Sequence, residues 1–585
     1  MIYRNDFSIF FNAEADAAKK AWDTLMDLPV KERIRKRKTI ENVFLDENSS
    51  GYKFTEENKI KLYISFEKNL SDFKEGDALI LHDGAPTIGI KCTLNEIVDD
   101  NNIVLEVFPP NLTHPLDRFY KKPLFLDKDC VDLRENVFFK FLSDLKYDKE
   151  YWHDSILNNP HAPTMEDMEK CVEELEDTCT NFELKLLDKQ REAILNSMAA
   201  KDYYLVQGPP GTGKSFVLSI IILEELAFFK HKVIVIGPNH MAINNTLEQV
   251  LRLVPTAASI LCKVGQLYNA PKLEVEYEGE TYRIKNLFSI DVDHAEDAEF
   301  SWAIGLTPHS LYTRRADLLE CDTLIIDEAG QMTIPLALMG MIRAKKVILA
   351  GDHKQLPPII SSDEISEEMK RSVFQTLMTE ENCTMLDISF RMCEPICNFV
   401  SDLFYDGKVK PHKYGCGNLI SSSNPLFDFK SPIIIHDVPD EGEQTSDKEA
   451  EFIVDTIAGF LKVGLPAKEI AVLSPFRAQA ANIKRHFRKR EDVTDEQKKL
   501  VSSDTVDKMQ GQEREVIIYS FVAGNIEYMN DMADFLYNPN KLNVAFSRAK
   551  SKLVIVGNVG NLKTISHEEY PHITRMLESQ YVTFV

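Results

Sequence analysis

Cysteine is scarce in this chain. Only 10 of its 585 residues are cysteine, and no two form a C-x-x-C pair. The closest approach, Cys393 and Cys397, is one helical turn, with no further ligands at metal spacing. Neither a disulfide framework nor a zinc module is indicated, and the thiols read as reduced core residues of a cytosolic protein. Long apolar runs are missing as well. Phe216–Leu223 stops at Glu224 and Glu225, far short of the roughly 18 residues a membrane span needs. The first residues carry Asp6, Glu14 and Asp16 and hold no apolar signal region. No membrane association is expected, and the expected location is cytoplasmic, with the nucleus left open. Basic charge is in deficit: 68 Lys and Arg stand against 92 Asp and Glu, a net charge of −24. This excludes a general basic coat for nucleic acid. Any grip on phosphate must be confined to a local groove.

What is present is ordinary globular composition, 44% hydrophobic and 27% charged. At about 150 residues per domain the length suggests about four domains. Residues 9–42 read as helical: Ala13, Ala17, Ala21 and Leu25 recur at helical spacing, and Pro29 opens a second segment with the basic run 31–38. That run reads as a nuclear address, a phosphate contact or a solvated face. Residues 52–115 alternate in short strands separated by turn residues, the pattern of a small antiparallel barrel. Residues 116–183 return to connector and helix. The expected layout is therefore a helical stalk over 1–51 and a barrel over 52–115, bracketed by helices.

From 184 onward apolar strands alternate with helices: 203–207, 232–237, 323–328 and 346–352, then 383–389, 432–438, 469–474, 515–521 and 552–558. Continuous apolar strands imply parallel sheets covered on both faces. The fold class is α/β. Two tandem domains are expected, 184–380 and 381–585, with a small insertion at 266–300 in the first.

The strongest motif is Gly208-Pro209-Pro210-Gly211-Thr212-Gly213-Lys214-Ser215, a G-x-x-x-x-G-K-[ST] loop after a strand and before a helix. Its glycines let backbone amides close around phosphates. Lys214 reaches the β- and γ-phosphates, and the Ser215 hydroxyl can ligate Mg²⁺. Leu324–Ile326 ends in Asp327-Glu328, an acidic pair at the carboxyl end of a buried strand. There Asp327 would hold Mg²⁺ and Glu328 would orient or deprotonate the attacking water.

Further motifs carry a resemblance. Residues 349–358 (LAGDHKQLPP) look like the third motif of the superfamily one helicases. The branch is that of the up-frameshift-suppressor RNA helicase, senataxin and the Okazaki-fragment nuclease-helicase. Residues 327–331 (DEAGQ) match its second motif, 505–513 (TVDKMQGQE) its fifth, 543–550 (NVAFSRAK) its sixth and 187–190 (LDKQ) its glutamine motif. The resemblance covers about 184–560. Departures are mild: Phe390 precedes Arg391 where relatives often have Tyr, and Met509, Phe546 and Ser547 replace frequent Phe, Leu and Thr. No cysteine-histidine domain or nuclease segment is recognisable.

The resemblance implies two RecA-like P-loop domains with ATP and Mg²⁺ between them. It implies Arg391 and Arg548 as cations delivered across the cleft to the γ-phosphate, and Gln355 as its sensor. Gln190 would meet the adenine edge, Phe390 would stack on the base and Glu513 would bind the ribose. Asp352 is either a supporting group or a hinge. Nucleic acid would run over Asn239, His240, Thr307, Pro308, His309, Arg477 and Thr505. The expected function is 5′→3′ translocation by a monomer on single-stranded DNA or RNA and on tailed duplexes. The rival is an ATP-controlled clamp or ribonucleoprotein remodeller with little unwinding. A second basic run, 484–490, reads mainly as a solvated helix face.

Overall fold

In this computed structural model, β1 (Thr39–Leu45), β2 (Ile60–Ser65), β3 (Ala78–His82), β4 (Ile90–Ile97), β5 (Asn102–Val107) and β6 (Leu124–Lys128) close into an antiparallel barrel, in the order β1-β2-β5-β4-β3-β6. The residues described are 2–46, 59–67, 71–99, 101–112, 116–145, 151–266, 270–290, 295, 301–317, 319–412, 420–522, 524–564 and 568–585. Residues 52–58, 68–70, 100 and 113–115 of the expected barrel, part of the expected insertion, and Cys416 lie outside them. The other nine cysteines are free thiols.

The barrel is wider than the span 52–115, because its first and last strands flank that span. β1 was read as helix for a physical reason. Asn42 takes φ +53, and the pairing of β1 with β6 shifts register between Ile40 and Val43, which breaks the period-two pattern. Two helices carry the barrel: α1 (Arg4–Met26) and α2 (Val30–Arg35). The buried carboxylate of Asp127 on β6 ties α2 to the barrel. It takes Arg33 from α2, the Thr39 hydroxyl, and His82 Nε2 at 2.7 Å. So one arginine of the basic run 31–38 is a buried strut. At its other end α1 buries Phe7, Phe10 and Phe11, with Phe11 stacked on Phe138 at 3.9 Å. Midway, Glu14 Oε1 accepts from the amides of Ser361 and Ser362, each at 2.8 Å. Near its end the Trp22 indole donates to the Lys128 carbonyl at 2.8 Å.

The next strands are β7 (Tyr203–Gln207), β8 (Val233–Ile236), β9 (Leu261–Val264), β10 (Glu274–Tyr277), β11 (Glu280–Arg283), β12 (Lys285–Leu287), β13 (Ala303–Gly305), β14 (Cys321–Ile326), β15 (Ala344–Gly351) and β16 (Cys383–Met385). All but the β10–β11 hairpin form one parallel sheet, ordered β12-β9-β13-β8-β14-β15-β7-β16. Successive residues serve opposite faces: Tyr203 and Leu205 enter one core cluster, Tyr204 and Val206 the other. Two assignments change. Cys383–Met385 was expected to open the second domain, yet it pairs with β7 at the edge of the first sheet. The insertion at 266–300 is not wholly separate, since β12 returns to pair with β9.

A short pair, β17 (Ile388–Ser389) and β18 (Lys410–Pro411), leads to the second sheet. It comprises β19 (Ile433–Asp437), β20 (Ile470–Ser474), β21 (Ser502–Thr505), β22 (Arg514–Ser520), β23 (Ala549–Gly557) and β24 (Val582–Phe584), parallel throughout in the order β21-β20-β22-β23-β19-β24. The basic run 484–490 lies largely on a helix beside it, with Asp447, Asp504, Asp455 and Asp492 paired against its charges.

One buried acid in this unit carries a testable consequence. Glu449 is fully enclosed, accepts from the Ser520 hydroxyl at 2.6 Å and the Val522 amide at 3.2 Å, and forms no ion pair among the described residues. Burial lifts its pKa from 4.5 to about 8. The native state therefore holds a proton that the unfolded chain releases, so this group's contribution to stability declines as pH rises between those values. Glu449→Gln is expected to flatten the fall in melting temperature between about pH 5 and pH 8. An unchanged pH profile in thermal melts would refute the assignment.

Candidate active site between the two sheets

β7 ends at Gln207, and the chain turns through Gly208–Gly213 before Lys214 starts the helix Lys214–Ala227. Gly211 and Gly213 take φ +75 and +84, values that favour glycine. The turn is tightly enclosed. A Cβ on Gly211 would stand 2.5 Å from Arg391 Cβ, and one on Gly208 would stand 2.7 Å from Lys214 Cβ. What remains is a bare backbone cradle at a helix N-terminus, the arrangement suited to phosphate.

Lys214 Nζ lies 2.9 Å from Asp327 Oδ1 and 2.6 Å from Glu328 Oε1. Burial opposes its charge, but the two carboxylates outweigh burial and hold its pKa above the ordinary lysine range. Burial likewise works against ionised Glu328, and Lys214 overcomes it and keeps that carboxyl below its usual range. Glu328 sits in the left-handed region at φ +54, and Gln331 donates to it at 2.9 Å. Asp327 is buried and accepts from the Thr246 hydroxyl at 2.7 Å. Ser215 and Asp327 offer hard oxygen donors of the kind Mg²⁺ prefers. Among the described residues no three acidic, His or Cys side chains form a complete metal cage. A cation here would complete its shell with phosphate and water.

The segment before the second sheet closes the far wall. The Phe390 amide donates to the Gly211 carbonyl at 2.8 Å, and the Ser389 hydroxyl donates to the Pro210 carbonyl at 2.8 Å. Arg391 is thereby set over the loop, with its Nε 2.6 Å from Glu513 Oε2. Arg548 is buried. It donates to the carbonyls of Val544 at 3.0 Å and Gln512 at 3.4 Å, and to Gln355 Oε1 at 3.1 Å. Burial first, then the neighbouring Arg391, push its pKa down to about 9. The walls enclose about 420 Å³ between the loop, Glu328, Gln355, Phe390, Arg391, Glu513 and Arg548.

Two expected nucleotide contacts stand differently. Gln190 is buried and uses both ends of its amide within the chain, accepting from the Leu187 amide at 3.2 Å and donating to the Thr212 carbonyl at 3.3 Å. As the third residue of its helix it reaches back to cap the N-terminus and brace the loop. Glu513 is held by Arg391 and by Lys550 at 3.2 Å. Sequence reasoning missed Asn245, Gln249 and Gln510, which also line the cleft. The first two are one turn apart on the helix His240–Leu253, so its periodicity could have found them. The Gln510 amide nitrogen is buried, with no hydrogen-bond partner among the described residues.

The expected nucleic-acid residues all lie at or just beyond the carboxyl ends of strands. Asn239 caps the helix after β8, its side chain accepting from the Ala242 amide at 3.1 Å. Thr307, Pro308 and His309 follow the neighbouring β13, and the Thr307 hydroxyl bonds Ser310 at 3.0 Å. Pro308 is buried, and His309 approaches the Phe138 ring at 5.9 Å. Across the cleft Thr505 pairs in register with Ser474, three residues before the exposed Arg477. A Cβ on Gly511 would lie 3.6 Å from Met241 Sδ, so the two edges face each other. Lys263 was missed. It ends beside Asn244 and Gln266, buried, with its pKa lowered to about 8 by burial. Burial, Lys263 and Arg315 together lower His240 to about 4.

Two family profiles, each described as an AAA domain, match residues 185–288 with 307–363 and residues 369–560. Together they cover well over half of the chain. The DNA polymerase alpha-associated DNA helicase A of Schizosaccharomyces pombe is 28% identical over 447 residues, which are 66% of this chain and 65% of that protein. The DNA replication ATP-dependent helicase/nuclease DNA2 of Mus musculus is 28% identical over 426 residues, 66% of this chain and 38% of that protein. This chain thus spans less than two thirds of either relative. The arterivirus nonstructural protein 10 (helicase) has a TM-score of 0.37 at 11% identity, covering 87% of this chain and 78% of that one. The chain belongs to the superfamily one helicases, in the branch of the up-frameshift-suppressor helicase, senataxin and DNA2, with two RecA-like domains. No described helix is long and apolar enough to cross a membrane.

Proposed function

We propose that the protein is an ATP-dependent helicase that translocates 5′→3′ on single-stranded DNA or RNA, as a monomer. One observation carries the reading: Lys214 and Glu328 come from the first unit, Arg391 and Arg548 from the second, and all line one cleft. Phosphoryl transfer rests on positioning and charge stabilisation, so a site split between two bodies is complete only when they close. Lys214 would leave its carboxylates for the β- and γ-phosphates. Ser215 and Asp327 would hold Mg²⁺, which supplies charge neutralisation at the phosphates. Glu328 would orient the attacking water, Gln355 would sense the γ-phosphate, and Arg391 and Arg548 would meet the charge developing on it. Phe390, exposed at the rim, would stack on the base, with Gln190 supporting the loop below it and Glu513 steering Arg391. Asn239, His240, Thr307–His309, Arg477 and Thr505 would grip the strand through hydroxyls, amides and cations without reading sequence.

The test is ATP hydrolysis with single-stranded DNA and RNA of equal length, followed by strand displacement on duplexes with 5′ or 3′ tails. Stimulated hydrolysis with displacement only from 5′ tails is expected. Stimulated hydrolysis without displacement would instead favour an ATP-controlled clamp. Because the grip is local on an acidic chain, log affinity should fall with log salt by about 0.7 for each phosphate neutralised on a single strand. Fluorescence anisotropy across a salt series checks this, and an affinity indifferent to salt would contradict it.

A further inference from the structure

The two units meet through more than the arginines of the cleft. Asp352 is buried and uses both carboxylate oxygens. Oδ1 accepts from Gln207 Nε2 at 3.2 Å and from the Lys354 amide at 3.1 Å. Oδ2 accepts from Gln355 Nε2 at 2.9 Å and from the Tyr405 hydroxyl. No ion pair reaches Asp352 among the described residues. Gln207, Lys354 and Gln355 belong to the first unit. Tyr405 closes the helix Glu394–Phe404 and packs in the core of the second.

The same hydroxyl accepts from Asn543 Nδ2 at 2.8 Å, and that amide also donates to the Lys354 carbonyl at 2.7 Å. Asn543 lies on the helix Pro539–Phe546, which leads directly to Arg548. Arg548 then returns to Gln355 Oε1 at 3.1 Å. Asp352, Gln355, Arg548, Asn543 and Tyr405 thus form a closed circuit that crosses between the units twice. Tyr405 is not among the cleft's lining residues, and it belongs to none of the motifs read from the sequence.

We propose that Tyr405 is a positioning residue for ATP hydrolysis: its hydroxyl latches the second unit onto Asp352, and through Asp352 sets the Gln355 amide and Arg548 toward the γ-phosphate. The inference rests on the ATPase reading above. It follows from the order of the contacts. Gln355 has one amide end on Asp352 and the other on Arg548, so its orientation depends on where Asp352 is held. Hydrogen bonds to a buried carboxylate are stronger than neutral ones and costly to lose. Without the hydroxyl, Asp352 keeps only donors from its own unit and loses its own bond to the second, while Asn543 and Arg548 still reach Lys354 and Gln355.

The test is Tyr405→Phe in the full chain, which keeps the ring in its core. The readouts are kcat and KM for ATP at saturating single-stranded oligonucleotide, affinity for a non-hydrolysable ATP analogue, and thermal melting. kcat is expected to fall about tenfold or more, while KM and analogue affinity move by less than about threefold. Adding Asp352→Asn is expected to cost no more than Asp352→Asn alone, because both break one contact. An unchanged kcat, an equal loss of rate and affinity, or fully multiplicative effects would each overturn the latch. If Tyr405→Phe melts too low to assay, Asp352→Asn must show the same split of kcat from KM, and its absence overturns the proposal equally. A parent protein without strand-stimulated hydrolysis removes the ATPase reading and the latch together. A stimulated parent with an unaffected variant removes the latch alone.

Discussion

Lys214→Ala should abolish measurable ATP hydrolysis and also lower the melting temperature of the nucleotide-free protein. The first effect follows from removing the cation nearest the phosphates. The second follows from the ion pairs with Asp327 and Glu328, which leave two acidic side chains adjacent and uncompensated in the variant. Breaking one side of a buried pair costs about 3 kcal/mol or more. The low end applies here because the Glu328 side chain keeps 30% of its exposure. The pH dependence has a definite sign. Lys214 depresses the folded-state pKa of Glu328, so this contribution is present above the ordinary carboxylate range and lost as pH falls through the depressed value. The gap between parent and variant should be widest near neutrality and close in acid. Turnover within about twofold of the parent would sink the active-site assignment, and a pH-independent gap would sink the electrostatic account of it.

Arg548→Ala should reduce turnover by about a thousandfold or more while nucleotide affinity changes far less. The guanidinium donates to two carbonyls and one amide oxygen, and to no carboxylate among the described residues. A buried cation held without a hydrogen-bonded counter-anion is costly until negative charge arrives, and that charge grows on the γ-phosphate during transfer. Arg548→Lys should not restore the rate, since a single ammonium cannot make the forked contacts. Single-turnover kinetics beside equilibrium nucleotide binding decides the matter. Parallel losses of rate and affinity would make Arg548 a ground-state ligand.

The parts of this molecule legible in the sequence are those whose physics is local. The Gly208–Ser215 turn needs its glycines and lysine in one contiguous stretch. The core strands are buried on both faces, so they appear as apolar runs whatever their partners. The rest depends on pairing across long separations. Nothing local in Cys383–Met385 says that it will lie beside Tyr203–Gln207 rather than in the sheet that follows. β1 hid behind a bulge at Asn42. Gln190 was expected at the adenine edge, and the capping contact that occupies its amide depends on backbone geometry. Tyr405 and Lys263 carried no signal, because each gains its meaning from neighbours more than 15 residues away or on another element.

The helix α1 touches three bodies. It is packed at one end on the first sheet's core, pinned near its middle to the loop at Ser361 and Ser362, and fastened near its other end to the barrel through Trp22. That loop follows Gln355 by only a few residues. α1 contains neither glycine nor proline, so it bends little. From Glu14 to Met26 it extends on the order of 18 Å. A small displacement of the loop is therefore passed on as a tilt rather than absorbed. The barrel is thus joined, through one stiff lever, to the loop that follows Gln355 on the wall of the cleft.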